Sequence, residues 1–250
     1  MRRNRIGAGI AAPTIGVVVV AASLGLAGWS VAAGAATPTG STHAAAGGPS
    51  GVPATVTRPW LEQALARRQA TLSRLTTVAK TSPALSSAVR ATLVAQLAAE
   101  TSGIDALAAA APQEPTATLA TTAAAMVDQY RVYRVMAPKV RIAVRAGRQT
   151  RAEQRVSRLE TALSARIASA RQSGPTVARA QAAEADLVRQ VAQATADTSA
   201  AGSVLSLQPS AYPASAATIV GARADLRSAR SVLPAVRTDL RTIRTSLRAS

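Results

Sequence analysis

The chain contains no cysteine and no phenylalanine, one histidine, two tryptophans and three tyrosines in 250 residues. The absence of cysteine excludes disulfides, thiolate nucleophiles, thiolate metal ligands and a thioether lipid anchor. With aromatics at 2%, the hydrophobic fraction of 48% is mostly alanine, valine and leucine. Such small side chains bury little area each, so they stabilise through close, extended helix contacts rather than around bulky rings. Alanine, leucine, glutamine and arginine are also strong helix formers. The composition therefore predicts an all-α protein.

Acidic residues are scarce as well, 12 against 29 lysines and arginines, for a formal net charge of +17. An excess of that size favours anionic surfaces without identifying them. The residues that chemistry needs are correspondingly few. His43 is the only histidine and sits in a stretch rich in Gly, Pro, Ser, Thr and Ala. No HExxH, Gly-rich phosphate loop or G-x-S-x-G pattern occurs, and no base accompanies the many serines and threonines. Glu184 and Asp186, the closest carboxylates, are two residues apart and so point from different faces of a helix. Glu153 and Glu160 lie among arginines and read as surface ion pairs. The expectation is a non-catalytic protein with no cofactor and no metal site, haem and iron included.

The first 36 residues have the order of an export signal: Arg2, Arg3 and Arg5, an uncharged run from Ile6, then small residues at Ala33-Gly34-Ala35-Ala36 that suit a signal peptidase. An uncleaved membrane anchor is the alternative, because the run is long enough to span a bilayer. Either reading places the body outside the cytoplasm, secreted or in the cell envelope. Residues 37–57 lack an apolar period and read as a flexible linker. Residues 58–250 form the predicted helical bundle domain.

Thr57-Arg58-Pro59 opens a first helix, to about Lys80, with Leu61, Leu65, Leu72 and Leu75 on one face. Ser82-Pro83 opens a second, marked by Leu85, Val89, Leu93, Leu97, Ile104 and Leu107, which Pro112 and Pro115 end. A third runs from Thr116 to Ser173, where Leu119, Ala123, Met126, Tyr130, Tyr133, Ala137, Val140 and Val144 form a heptad seam with both tyrosine rings turned inward. The phase is lost after Val144, so Gly147 predicts a bend at 147–151 before Val156, Leu159, Leu163 and Ile167 resume it. Ser173-Gly174-Pro175 reads as a turn into a fourth helix to about 207, and a proline-bounded loop follows at 208–215. The last helix, 216–249, repeats Ile219, Ala222, Leu226, Ala229, Leu233, Val236, Leu240, Ile243 and Leu247 at coiled-coil spacing. The predicted fold is an elongated antiparallel helical bundle or coiled coil of about five helices, with residues 142–207 as a candidate two-helix arm.

Two of these helices carry arginines at matched positions. Arg131, Arg134, Arg141, Arg145 and Arg148 occupy heptad positions b and e of the third helix, as Arg230, Arg237, Arg241 and Arg244 do in the last. Both follow R-x3-P-x2-R-x3-R-x2-R, with Pro138 and Pro234 expected to kink continuous helices from an exposed flank. These nine arginines are the candidate anion-binding residues, since a guanidinium donates two parallel hydrogen bonds to phosphate or carboxylate. Candidate partners are an anionic envelope polymer or lipid headgroups, then a protein partner or a second copy of the chain. The alternative is a structural or partner-recruiting domain whose charge serves solubility, as a solvated arginine face would. Nucleic acid is disfavoured, because aromatic stacking platforms and helix-turn-helix or zinc motifs are missing.

The segment Tyr130-Arg131-Val132-Tyr133-Arg134-Val135-Met136-Ala137-Pro138-Lys139-Val140 and the arginine- and alanine-rich last helix, GARADLRSARSVL, resemble a group of small exported helical proteins of actinobacteria. That resemblance, over about residues 60–249, implies export and a helical body. It implies no activity.

Overall fold

A computed structural model describes residues 52, 53, 55–170 and 177–248 of the chain. The segment expected to be a signal peptide or anchor, most of the linker and the turn at 173–175 lie outside the described residues. The fold is all-α, as predicted, with seven helices among the described residues: α1 Arg58–Thr81, α2 Ser87–Ala110, α3 Leu119–Asp128, α4 Ala137–Ala170, α5 Ala178–Ala201, α6 Ala216–Ser231 and α7 Leu233–Arg248. Two of the five expected helices are each divided in two. No helix among the described residues is long and apolar enough to cross a membrane.

α1 and α2 form an antiparallel pair, tied by Gln69 Nε2 donating to Asp105 Oδ1 at 2.7 Å, and Arg58 Nη2 donates to the carbonyl of Glu114, just beyond α2, at 2.5 Å. Pro59 stands in the first turn of α1, where its missing N–H costs nothing, but the Thr57 hydroxyl makes no capping bond. The second helix starts later than Ser82: residues 82–86 form a turn, and Ser86 Oγ caps α2 by accepting from Val89 N at 3.3 Å. Leu61, Leu65, Leu72, Leu93, Leu97, Ile104, Met126 and Met136 are buried in one cluster that α1, α2, α3 and the start of α4 share. Each fully buried leucine contributes about 1.5–3 kcal/mol to that core.

The expected continuous helix through Tyr130 is broken instead. α3 ends at Asp128, Arg131 adopts a left-handed conformation (φ 40°, ψ 36°), and a π turn over Val132–Met136 leads into α4. A π turn widens the helix and rotates every later side chain, so the heptad phase cannot pass through it. Val132, Val135 and Met136 take the interior, Tyr130 packs at its edge, and Tyr133 is 47% exposed rather than turned inward. Pro138 is not a flank residue kinking a helix: it is buried in the first turn of α4. Pro234 likewise sits in the first turn of α7, and the chain is parted from α6 at Val232.

The helix does not part at Gly147. α4 runs unbroken past it, and a Cβ there would overlap the backbone carbonyl of Ala84 in the turn that crosses α4. Glycine is required for that close approach.

The predicted arm has a third member. The second half of α4 and α5 pair antiparallel, and α7 packs along them, burying Ile167, Val177, Leu187, Val236 and Ile243 together. α6 meets the first half of α4 and the end of α5, where Val135, Ile142, Ala201, Val204, Ile219 and Ala222 form a separate small cluster. Leu159 lies off the packed face and is 53% exposed. Glu153 is on that face, only 7% exposed, and accepts from Thr198 Oγ1 at 2.7 Å and Thr195 Oγ1 at 3.5 Å. Neither Glu153 nor Glu160 forms an ion pair among the described residues, so the surface-pair reading is corrected.

Candidate anion-binding surface

The nine arginines singled out by spacing reach the surface because the opposite sides of their helices are apolar. On α4, Val140, Ile142, Ala143 and Val144 face inward and leave Arg141, Arg145 and Arg148 exposed. On α7, Val236 and Ile243 are buried while Arg237, Arg241 and Arg244 are exposed, and Arg230 on α6 and Arg134 in the π turn are exposed too. Among the described residues none of these eight forms an ion pair or a side-chain hydrogen bond. Arg131 is half-buried and differs: it pairs with Asp128 at 2.8 Å, donates from Nε to the Asp128 carbonyl at 3.2 Å, and stacks over Tyr212 at 4.9 Å.

The rows approach at one crossing. Gln149 Nε2 donates to the Ala229 carbonyl at 3.3 Å, so the chain neighbours of Arg148 and Arg230 meet where α4 contacts α6. Beyond it α7 packs mainly against α5, so the two rows do not run side by side along their whole length.

The left-handed residue and π turn bring Arg131 and Arg134 to α1, a juxtaposition the spacing did not show. Together with Arg67, Arg68 and Trp60 of α1 and with Tyr133, they line a pocket of about 500 Å3. Arg68 donates from Nη1 to the Ala64 carbonyl at 3.0 Å and lies 5.3 Å over the Tyr133 ring. Burial lowers its pKa from the ordinary value, and the Tyr133 phenol acts in the opposite direction. Only the adjacent pair Arg67-Arg68, about two turns after Trp60 on α1, could have signalled this in the sequence.

A second polar feature is internal. Lys139 is 0% exposed, and its Nζ donates to the Leu207 carbonyl at 2.6 Å. Burial lowers its pKa to about 8 against the attraction of Glu100, and burial raises Glu100 to about 7 against the attraction of Lys139. Gln96, one turn before Glu100, donates to the Leu205 carbonyl at 3.4 Å, so α2 and α4 together hold the 205–207 segment. Glu100 Oε2 makes no hydrogen bond. Among the described residues no three His, Cys, Asp or Glu side chains gather as a metal-binding group.

Fold and surface define an all-α bundle with eight exposed guanidinium groups that have no ion-pair partner among the described residues. No protein-family model matches the chain, and no significant match was found among curated proteins or solved structures.

Proposed function

We propose that this is an exported, non-catalytic helical protein of the cell envelope or extracellular space that binds anionic polymers through its arginine rows. The single observation that carries the reading is the exposure of eight matched arginines with no acidic partner among the described residues. Charges kept only for solubility are ordinarily interspersed with the opposite sign and paired along helix faces. Here one sign recurs at one spacing on two helices. An anionic envelope polymer fits better than nucleic acid, because only Trp60 and the tyrosines could stack on bases and export removes the usual substrate.

Among the described residues, buried Lys139 with half-buried Glu100 is the arrangement closest to a chemical site, and it is better read as structural. A catalytic amine must reach its substrate, whereas Lys139 has no exposed surface and its ammonium is held by the Leu207 carbonyl. Changing Arg141, Arg145, Arg237 and Arg241 to glutamine should weaken retention on phosphate-rich cell-wall material at low salt. Unchanged retention would refute the proposal and favour a structural or partner-recruiting domain.

A further inference from the structure

We propose that the pocket between α1 and the α3–α4 joint binds a phosphate ester group, and so reads individual units of the polymer that the outer arginine rows hold. This rests on the polymer-binding reading and gives it a ligand class. Four guanidinium groups, Arg67, Arg68, Arg131 and Arg134, line about 500 Å3, and the one carboxylate paired with any of them among the described residues is Asp128, on Arg131. A carboxylate ligand would leave most of that charge uncompensated. A phosphate ester brings more acceptor oxygens, arranged for guanidinium forks that converge from different directions.

The four groups fall into two kinds. Arg68 is held by the Ala64 carbonyl and Tyr133, and Arg131 by Asp128 and Tyr212, so each loses little freedom when a ligand arrives. The Arg67 and Arg134 side chains are exposed and make no hydrogen bond or ion pair among the described residues, free to close over the anion. Trp60, Met126 and Val132 supply apolar lining for the carbon skeleton of the ester.

The backbone at this rim is unlike the rest of the described chain. Arg131 is its one non-glycine residue at positive φ, and the π turn follows directly. Its carbonyl accepts from both Arg134 N at 3.1 Å and Val135 N at 2.8 Å, which sets Arg131 and Arg134 on the same short turn. Left-handed non-glycine residues and π turns persist where the surroundings over-determine them, and they gather at ligand sites.

The test uses the full chain with Trp29→Phe, so that Trp60 is the only indole. Its emission is followed against inorganic phosphate, glycerol 3-phosphate, acetate at matched ionic strength, and phosphatidylglycerol vesicles. We expect a saturable change with the two soluble phosphates and none with acetate. Arg67→Gln with Arg134→Gln should weaken glycerol 3-phosphate binding at least about tenfold, as loss of charge-assisted hydrogen bonds does, and Arg67→Lys should fall between. A response to vesicles alone would overturn the pocket and assign the contact to a lipid surface. Equal response to acetate would overturn its phosphate class. Retention of the same protein on a polyphosphate column separates the two levels: salt-sensitive retention with a silent Trp60 defeats the pocket alone, whereas loss of both defeats the polymer-binding reading with it.

Discussion

Around α1, α2, α3 and the start of α4, leucines and methionines fill a shared interior, and that interior tolerates a buried lysine, a half-buried glutamate and a left-handed arginine. Along the second half of α4, α5 and α7 the buried line alternates Ile167, Leu187, Val236 and Ile243 with Ala180 and Ala183. There the helices are joined as much by polar side chains as by apolar ones: Ser164 bonds to Glu184, Gln190 Nε2 donates to Asp239 at 2.9 Å, and Thr198 donates to Glu153. A large core can over-determine strained or charged residues, because displacing them would open many contacts at once. A seam of small residues holds by repetition, and its polar bonds select the register. The pocket belongs to the first region; of the exposed arginines, Arg237, Arg241 and Arg244 on α7 belong to the second, whereas Arg141, Arg145 and Arg148 stand on the first half of α4.

Truncation should separate the regions most strongly. Leu97→Ala, in the leucine-rich core, is expected to cost about 2–5 kcal/mol in urea unfolding, whereas Leu240→Ala, on the half-buried edge of the seam, should cost about half as much or less. Equal losses would break the comparison. Gly147→Ala should cost about 1–3 kcal/mol, since the added methyl meets the Ala84 backbone carbonyl and neither can move freely. Gly221→Ala, in α6 with open space at the Cβ, should instead gain about 0.5–1 kcal/mol from helix propensity.

The pH response sharpens the same contrast, since both shifted carboxylate and amine lie in the first region. Between Glu100's ordinary 4.5 and its folded value of about 7, the folded chain keeps a proton that the unfolded chain has lost, so stability falls as pH rises. Between about 8 and 10.5 the unfolded chain binds the Lys139 proton that the folded chain lacks, so stability rises with pH. Each limb should amount to something on the order of 2 kcal/mol. Urea melts from pH 4.5 to 10.5 check this, with Glu100→Gln expected to flatten the acidic limb and Lys139→Met the alkaline one.

Much of the fold was legible because it follows from local signals. Prolines marked the start and end of the first helix, the end of the second and the 208–215 loop, though not the start of the second at Ser87, and the last helix's repeat correctly named Ile219, Ala222, Ala229, Val236 and Ile243 as buried. Spacing failed where geometry departed from 3.6 residues per turn. The apolar count across Tyr130 and Tyr133 assumed an unbroken helix, whereas the π turn rotated Val132, Val135 and Met136 inward. Leu159 was misplaced for a different reason: polar Glu153 occupies the packed face, so counting apolar residues traced a neighbouring line. Gly147 met a crossing turn that no periodicity records. The arginines were visible as a pattern, but their meeting with Arg67, Arg68 and Trp60 depends on the broken joint and could not be read from either segment alone.

Retention of the protein on an immobilised phosphate polymer, measured across a salt gradient, addresses the polyanion claim most directly. Counterion competition should make retention of the native chain fall steeply between roughly 50 and 200 mM salt, with a shallower log–log slope once Arg141, Arg145, Arg237 and Arg241 are glutamines. A native chain whose retention is independent of salt, or a slope unchanged by the four substitutions, would contradict it.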